Sequence, residues 1–166
     1  MLRSNIIFSA TLQKFSLMMK LASIQSFGKL NVSTAIPAKT FLEKAFLLHE
    51  IFSVEGRGTK AERKSRHLYD LYMMKDKVFA QAAVTDAELW ESVRHHREVF
   101  TSVQGLDYTS DVRHRLQLVL RADIVEVWRK DYETMKESMI YGSSPTFEEL
   151  IVDMTELQER FRSVAR

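Results

Sequence analysis

Between Thr40 and Phe52 the apolar positions follow a helical period and leave almost no polar face. Placed about 100° apart around a helix axis, Phe41, Ala45, Leu48 and Phe52 share one side, Leu42 and Phe46 flank it, and Leu47 and Ile51 widen it. Only Glu43 and Glu50 make a polar edge, so the spacing predicts a mostly buried helix. Lys44 nevertheless falls on the apolar arc, between Leu48 and Ile51, and His49 falls between Leu42 and Ala45. A helix begun near Ser65 would bury Leu68, Leu71, Tyr72, Val78 and Phe79 and hold Asp70 at its margin, beside His67 and Met74. Leu89, Val93, His96, Phe100 and Val103 form another stripe, which makes His96 a core-edge residue. Trp128, Tyr132, Met135 and Met139 form one more, suited to core packing.

Capping signals divide the pattern into elements. Thr40 with Glu43, Thr85 with Glu88, Asp123 with Glu126 and Thr146 with Glu149 each read as a capping box or its Asp-led version. With the helix near Ser65 they mark five helix starts. Gly105 and Gly142 fit helix ends, Val32 to Ala35 fits a short strand leading into Pro37, and Arg115 to Leu120 fits a brief extended piece. The expected fold is therefore mainly α, a helical domain of about five or six helices with at most a short β element. Residues 31–166 read as that domain and residues 1–30 as a separate basic segment.

Composition supports one packed domain. The chain has 166 residues, 45% hydrophobic and 28% charged, enough to bury a core. A net charge of +2 is too small to indicate nucleic-acid binding by itself, but the charge is uneven. Residues 1–42 carry Arg3, Lys14, Lys20, Lys29 and Lys39 and no acid, whereas the stretch from Asp123 to Glu159 is strongly acidic. Met1 to Lys29 is basic and serine-containing like an organellar transit peptide, and its apolar residues also suit an amphipathic packing segment. Lys14 and Lys20 interrupt it, so it is neither a secretory core nor a membrane span. The absence of cysteine excludes disulfides and thiolate metal sites and fits a cytoplasmic protein.

The candidate chemistry rests on charges in unusual places. Lys44 fits either a side chain that snorkels to water or an ammonium at the floor of a cleft, ready for phosphate. His49 fits a hydrogen-bonded core histidine better than a catalytic base. Asp70 fits either a surface pair with Arg66, four residues earlier, or a carboxylate aimed at a ligand. Arg57, Lys60, Arg63, Lys64 and Arg66 cluster around Gly56 and Gly58. That cluster reads as a solvated loop or as a phosphate or RNA contact, without interleaved aromatic residues for base stacking.

Three runs carry a resemblance. Pro37-Ala-Lys-Thr-Phe-Leu-Glu-Lys-Ala-Phe-Leu-Leu-His-Glu50, Ser65-Arg-His-Leu-Tyr-Asp-Leu-Tyr72, and Asp131-Tyr-Glu-Thr-Met-Lys-Glu-Ser-Met-Ile-Tyr-Gly142 followed by Ser144-Pro-Thr-Phe-Glu-Glu-Leu150 resemble the C-terminal part of AbiEii/AbiGii-type nucleotidyltransferase toxins, in the same order. The resemblance implies a magnesium-dependent transferase that moves a nucleoside monophosphate from a nucleoside triphosphate, in some members onto transfer RNA, in a toxin-antitoxin or abortive-infection system. It implies that Lys44 and Arg66 are nucleotide-binding, that Asp70 is catalytic, and that an antitoxin protein is a partner; it implies no membrane.

One departure limits the expectation. The family's Gly-Ser turn and Asp-x-Asp strand precede the segment that corresponds to Thr40, yet this chain has no acid before Glu43 and thus no upstream pair to hold magnesium. Gly142-Ser143 reads as a helix stop and turn instead. The chain is expected to be the C-terminal part of a split or truncated transferase, inactive alone, with no metal site of its own. The alternatives are a noncatalytic helical interaction module and a half complemented by a separate core chain.

Overall fold

The computed structural model describes residues 36–165, which fall within one unit, Ala35–Arg166. The expected Val32 to Ala35 strand and the basic segment 1–30 lie outside the described residues. Six α-helices and one 3-10 helix follow in order: α1 (Pro37–Phe52), α2 (Arg66–Met74), α3 (Val78–Thr85), α4 (Ala87–Phe100), the 3-10 helix (Ser110–Arg115), α5 (Val125–Met139) and α6 (Phe147–Arg162). No strand occurs among the described residues, so the mainly α expectation holds.

Helix α1 is the centre of the packing, touching α2, α3 and α4, while α6 covers α2, α3, α5 and the 3-10 helix. Its position follows from its sequence, because apolar residues on nearly every side require partners on nearly every side. Phe41 stacks on Phe161 with ring centroids 5.9 Å apart, Phe46 meets Trp90 at 4.7 Å, and Phe52 meets Trp128 edge-on at 4.9 Å. Each contact joins α1 to a different helix. The aromatic pairs supply large apolar areas in the tilted and edge-on geometries that rings prefer.

Several expectations need correction. Pro37 starts α1 at a position where its missing N–H costs nothing, so Thr40 lies inside the helix rather than capping it. Asp86, not Thr85, caps α4, accepting a 2.9 Å bond from Leu89 N–H. Asp123 pairs with Arg121 and caps nothing through its side chain. The Thr146–Glu149 box is complete, with reciprocal bonds of 2.7 and 3.2 Å.

The helix expected from Ser65 to Phe79 is two helices, broken at Lys75 to Lys77, and Val78 is 84% exposed. The break is held by two tertiary ion pairs, Lys75 to Asp153 and Arg160 to Asp76, with Lys75 also paired to the adjacent Asp76. On α4 the buried face is Trp90 and Val93; His96 is exposed, and Phe100 is 76% exposed with its ring against His96. Met139 is likewise exposed, although Trp128, Tyr132 and Met135 are buried as expected. Arg115 ends the 3-10 helix, and the piece that follows pairs with side chains instead of a strand: Gln117 N–H bonds His49 Nδ1 and Leu118 N–H bonds Gln158 Oε1.

His49 is therefore a core histidine with a defined job. Its Nδ1 accepts from Gln117 N–H at 3.0 Å and lies 2.8 Å from Ser53 Oγ, which places the proton of the neutral ring on Nε2. Burial, then the nearby Arg115 and Arg162 charges, lower its pKa to about 4. The unfolded chain thus binds the proton first as pH falls, and stability drops as pH descends from about 6.5 toward 4. Between pH 7 and 5.5 denaturant melts are expected to lose about 1 kcal/mol through this group. The loss should shrink in His49→Gln, and an equal loss in both proteins would remove His49 as the cause.

Candidate active site

Helices α1 and α2 pack side by side, and their facing margins carry the two residues of greatest chemical interest. Lys44 Nζ lies 2.6 Å from Asp70 Oδ2, across 26 positions of sequence. The lysine is neither a lone snorkelling cation nor an unpaired one. Its side chain is 24% exposed and that of Asp70 38%, so both partners are in part open to solvent. Asp70 pairs with Lys44 rather than with Arg66, which is exposed at the start of α2.

The surroundings are electropositive. His67, one turn before Asp70, has its pKa lowered to about 4, first by burial and then by the Lys44 and Arg66 charges, against an opposing pull from Asp70. Its buried Nδ1 has no hydrogen-bond partner. A neutral imidazole beside an ammonium and a guanidinium leaves the net charge of this edge positive, as an anionic ligand requires.

The position of α2 is set from far along the chain. Asp131, in the second turn of α5, accepts bonds from Arg63 N–H at 2.7 Å, Ser65 N–H at 2.9 Å and Ser65 Oγ–H at 2.5 Å. Arg63 is held at φ 58, a left-handed conformation that is uncommon for a side-chain-bearing residue. Charge-assisted bonds of this kind are about twice as strong as neutral ones and offset such strain. Next to Asp131 on α5, Tyr132 donates to Pro145 C=O at 2.8 Å and packs its ring against Phe147. The three sequence runs singled out above are thus tied together through α2 and α5.

The preceding loop is equally anchored. Arg121 donates to the carbonyls of Phe52, Val54 and Arg57, and Trp128 Nε1–H donates to Gly58 C=O at 2.8 Å. Sequence pattern assigned no such role to Asp131, Arg121 or Trp128. The only available signal was that Asp131 opens the third run.

Among the described residues no three His, Asp or Glu side chains gather to hold a metal ion. Asp70 is the one carboxylate of the pair and is already bonded to Lys44, so these residues do not by themselves fit magnesium, which needs several oxygen ligands in octahedral array. The arrangement can bind and orient a phosphate ester through a point cation flanked by a hydrogen-bond acceptor.

Adjoining helices of one helical body thus present a lysine and an aspartate as a partly exposed ion pair. The model of one family, described as nucleotidyl transferase AbiEii toxin of type IV toxin-antitoxin systems, matches residues 6–161, nearly the whole chain. The chain belongs to that family. No curated protein and no solved structure matches it.

Proposed function

We propose that Lys44 and Asp70 form the triphosphate-facing part of a nucleotidyl transferase centre whose metal-binding carboxylates come from outside these 166 residues. The observation that carries this reading is the Lys44–Asp70 pair itself, partly exposed and set in positive surroundings. In the transfer, an acceptor hydroxyl oxygen bonds to the α-phosphorus of a nucleoside triphosphate as the bond to the bridging oxygen breaks and pyrophosphate leaves. The Lys44 ammonium swings from Asp70 to the phosphates and offsets the charge that develops on the leaving group. Asp70, released, accepts the hydrogen bond of the acceptor hydroxyl, orients it and takes its proton as the new oxygen–phosphorus bond forms. Arg66 adds a second cation at the exposed side.

Transfer RNA is the acceptor, and an antitoxin protein binds and restrains the toxin. The setting is cytoplasmic; no helix among the described residues is long and apolar enough to cross a membrane. Because no acid precedes Glu43, the chain alone is inactive. The test incubates it with labelled triphosphates, magnesium and bulk transfer RNA, alone and with a chain that carries a Gly-Ser and Asp-x-Asp core. Label is expected only in the mixture and about 100-fold weaker with Lys44→Met. Melts of that variant should stay within about 1 kcal/mol of the parent, as for other partly exposed pairs. Label transferred by the pure chain would overturn the division of the site. Undiminished label with Lys44→Met would overturn the role of Lys44 and favour a structural pair in an interaction module.

A further inference from the structure

The loop between α1 and α2 forms an open cavity of about 320 Å³ lined by Ile51, Gly56, Arg57, Gly58, Thr59, Lys60 and Lys64. Three of these side chains are cationic and none is acidic. Among the described residues Arg57, Lys60 and Lys64 form no ion pair, unlike Lys44, Lys75, Arg94, Arg97 and Arg121, each of which holds a carboxylate. Unpaired cations that share a concavity repel one another, and an anion relieves that repulsion.

The cavity is also built rather than loose. Five carbonyls along its loop are engaged: Phe52, Val54 and Arg57 by Arg121, Gly58 by the Trp128 indole, and Gly56 by the Thr59 hydroxyl at 3.1 Å. The exposed acids of the loop, Glu55 and Glu62, are not among the residues that line the cavity, whose charged side chains are all cationic. A fixed backbone reduces the ordering that an anion must impose when it binds there.

We propose that this cavity is a phosphate site for the backbone of a polynucleotide strand. Ile51, which lines it, lies two helical turns beyond Lys44 on α1, about 10 Å along the axis. Lys64 and Arg66 continue the positive charge from the cavity to α2, where both act on His67. A row of cations is matched by a ligand that repeats its phosphate at every nucleotide; a single free phosphate would use one end of it. No aromatic side chain lines the cavity, so it grips backbone and does not read bases. The site does not depend on whether Lys44 and Asp70 do chemistry, although a strand held here would run toward them.

The experiment measures anisotropy of short fluorescent single-stranded RNAs of two unrelated sequences with the full chain, across a salt series. Lys60→Gln/Lys64→Gln is expected to weaken both RNAs about tenfold near physiological salt and to lower the slope of log affinity against log salt by about 1.4, the release expected for two single-strand phosphate contacts. Melting should be unchanged, since neither side chain is buried. Lys44→Met serves as the control for the neighbouring site and should leave the salt slope within one contact of the parent. Equal affinities and slopes in the parent and the double variant would overturn the proposal. So would complete competition by inorganic phosphate or a nucleoside triphosphate at concentrations matching the RNA phosphate, which would identify a site for small free anions.

Discussion

Glu50→Ala is expected to destabilise the domain by about 3–5 kcal/mol, enough to unfold much of the population. Glu50 is only 3% exposed, and its carboxylate receives both the Arg97 guanidinium, bidentate, and the Tyr108 hydroxyl at 2.9 Å. The three groups bind α1 to α4 and to the loop beyond it. Truncation leaves a guanidinium and a phenol facing a cavity with no acceptor, which costs more than the loss of the bond alone. In the parent, burial and then the Glu50 bond push the Tyr108 pKa up to about 12; burial remains in the variant and still disfavours ionisation of the phenol. Denaturant melts of three proteins decide the matter. If the cost comes from the stranded partners, Glu50→Met/Arg97→Met should recover most of the loss, whereas a double variant as unstable as the single would point to packing around Glu50.

The second large effect is expected at Gly58. Its φ of +84 lies in the left-handed region, and a Cβ there would sit 3.0 Å from Ile124 Cδ1 and 3.0 Å from Ile51 Cγ2. Gly58→Ala therefore combines a backbone penalty of about 1–2 kcal/mol with overpacking of about 1–3 kcal/mol. Gly56→Ala separates the two contributions, because Gly56 has φ +78 but a Cβ there would meet nothing within 4 Å. Thermal melts should place Gly58→Ala about 2–5 kcal/mol below the parent and Gly56→Ala only about 1–2 kcal/mol below. Equal losses would mean that Ile51 and Ile124 yield without cost.

Much of this architecture was readable from local pattern, and the failures have physical causes. The α6 start was legible because a capping box is a purely local device, closed within four residues. The break between α2 and α3 was not, since nothing in Lys75 to Lys77 forbids a helix; ion pairs from α6 hold it open. On α4, Leu89 and Trp90 are adjacent, and choosing between them rotates the buried face by about 100°. Trp90 wins because Phe46 and Phe161 offer it ring partners.

At the candidate site, the proximity of Lys44 and Asp70 was legible because each stood at the edge of an apolar arc and the arcs had to pack. Their direct contact was not, nor was the burial of Glu50, which periodicity placed on a polar edge beside Glu43. A carboxylate can be buried only when a distant partner meets it, and Arg97 is 47 positions away.

The Asp131 anchor also sets a timetable. The backbone at Ser65 waits for a carboxylate 66 positions downstream, and at a synthesis rate of about 5–20 residues per second that interval is about 3–13 s. Until then the junction is held by the Arg121 and Trp128 bonds to the loop before it, and the start of α2 has no carboxylate to fix it. The junction between α1 and α2 is thereby closed only after the second turn of α5 has been made, so the order of synthesis places this contact among the last of the fold to form.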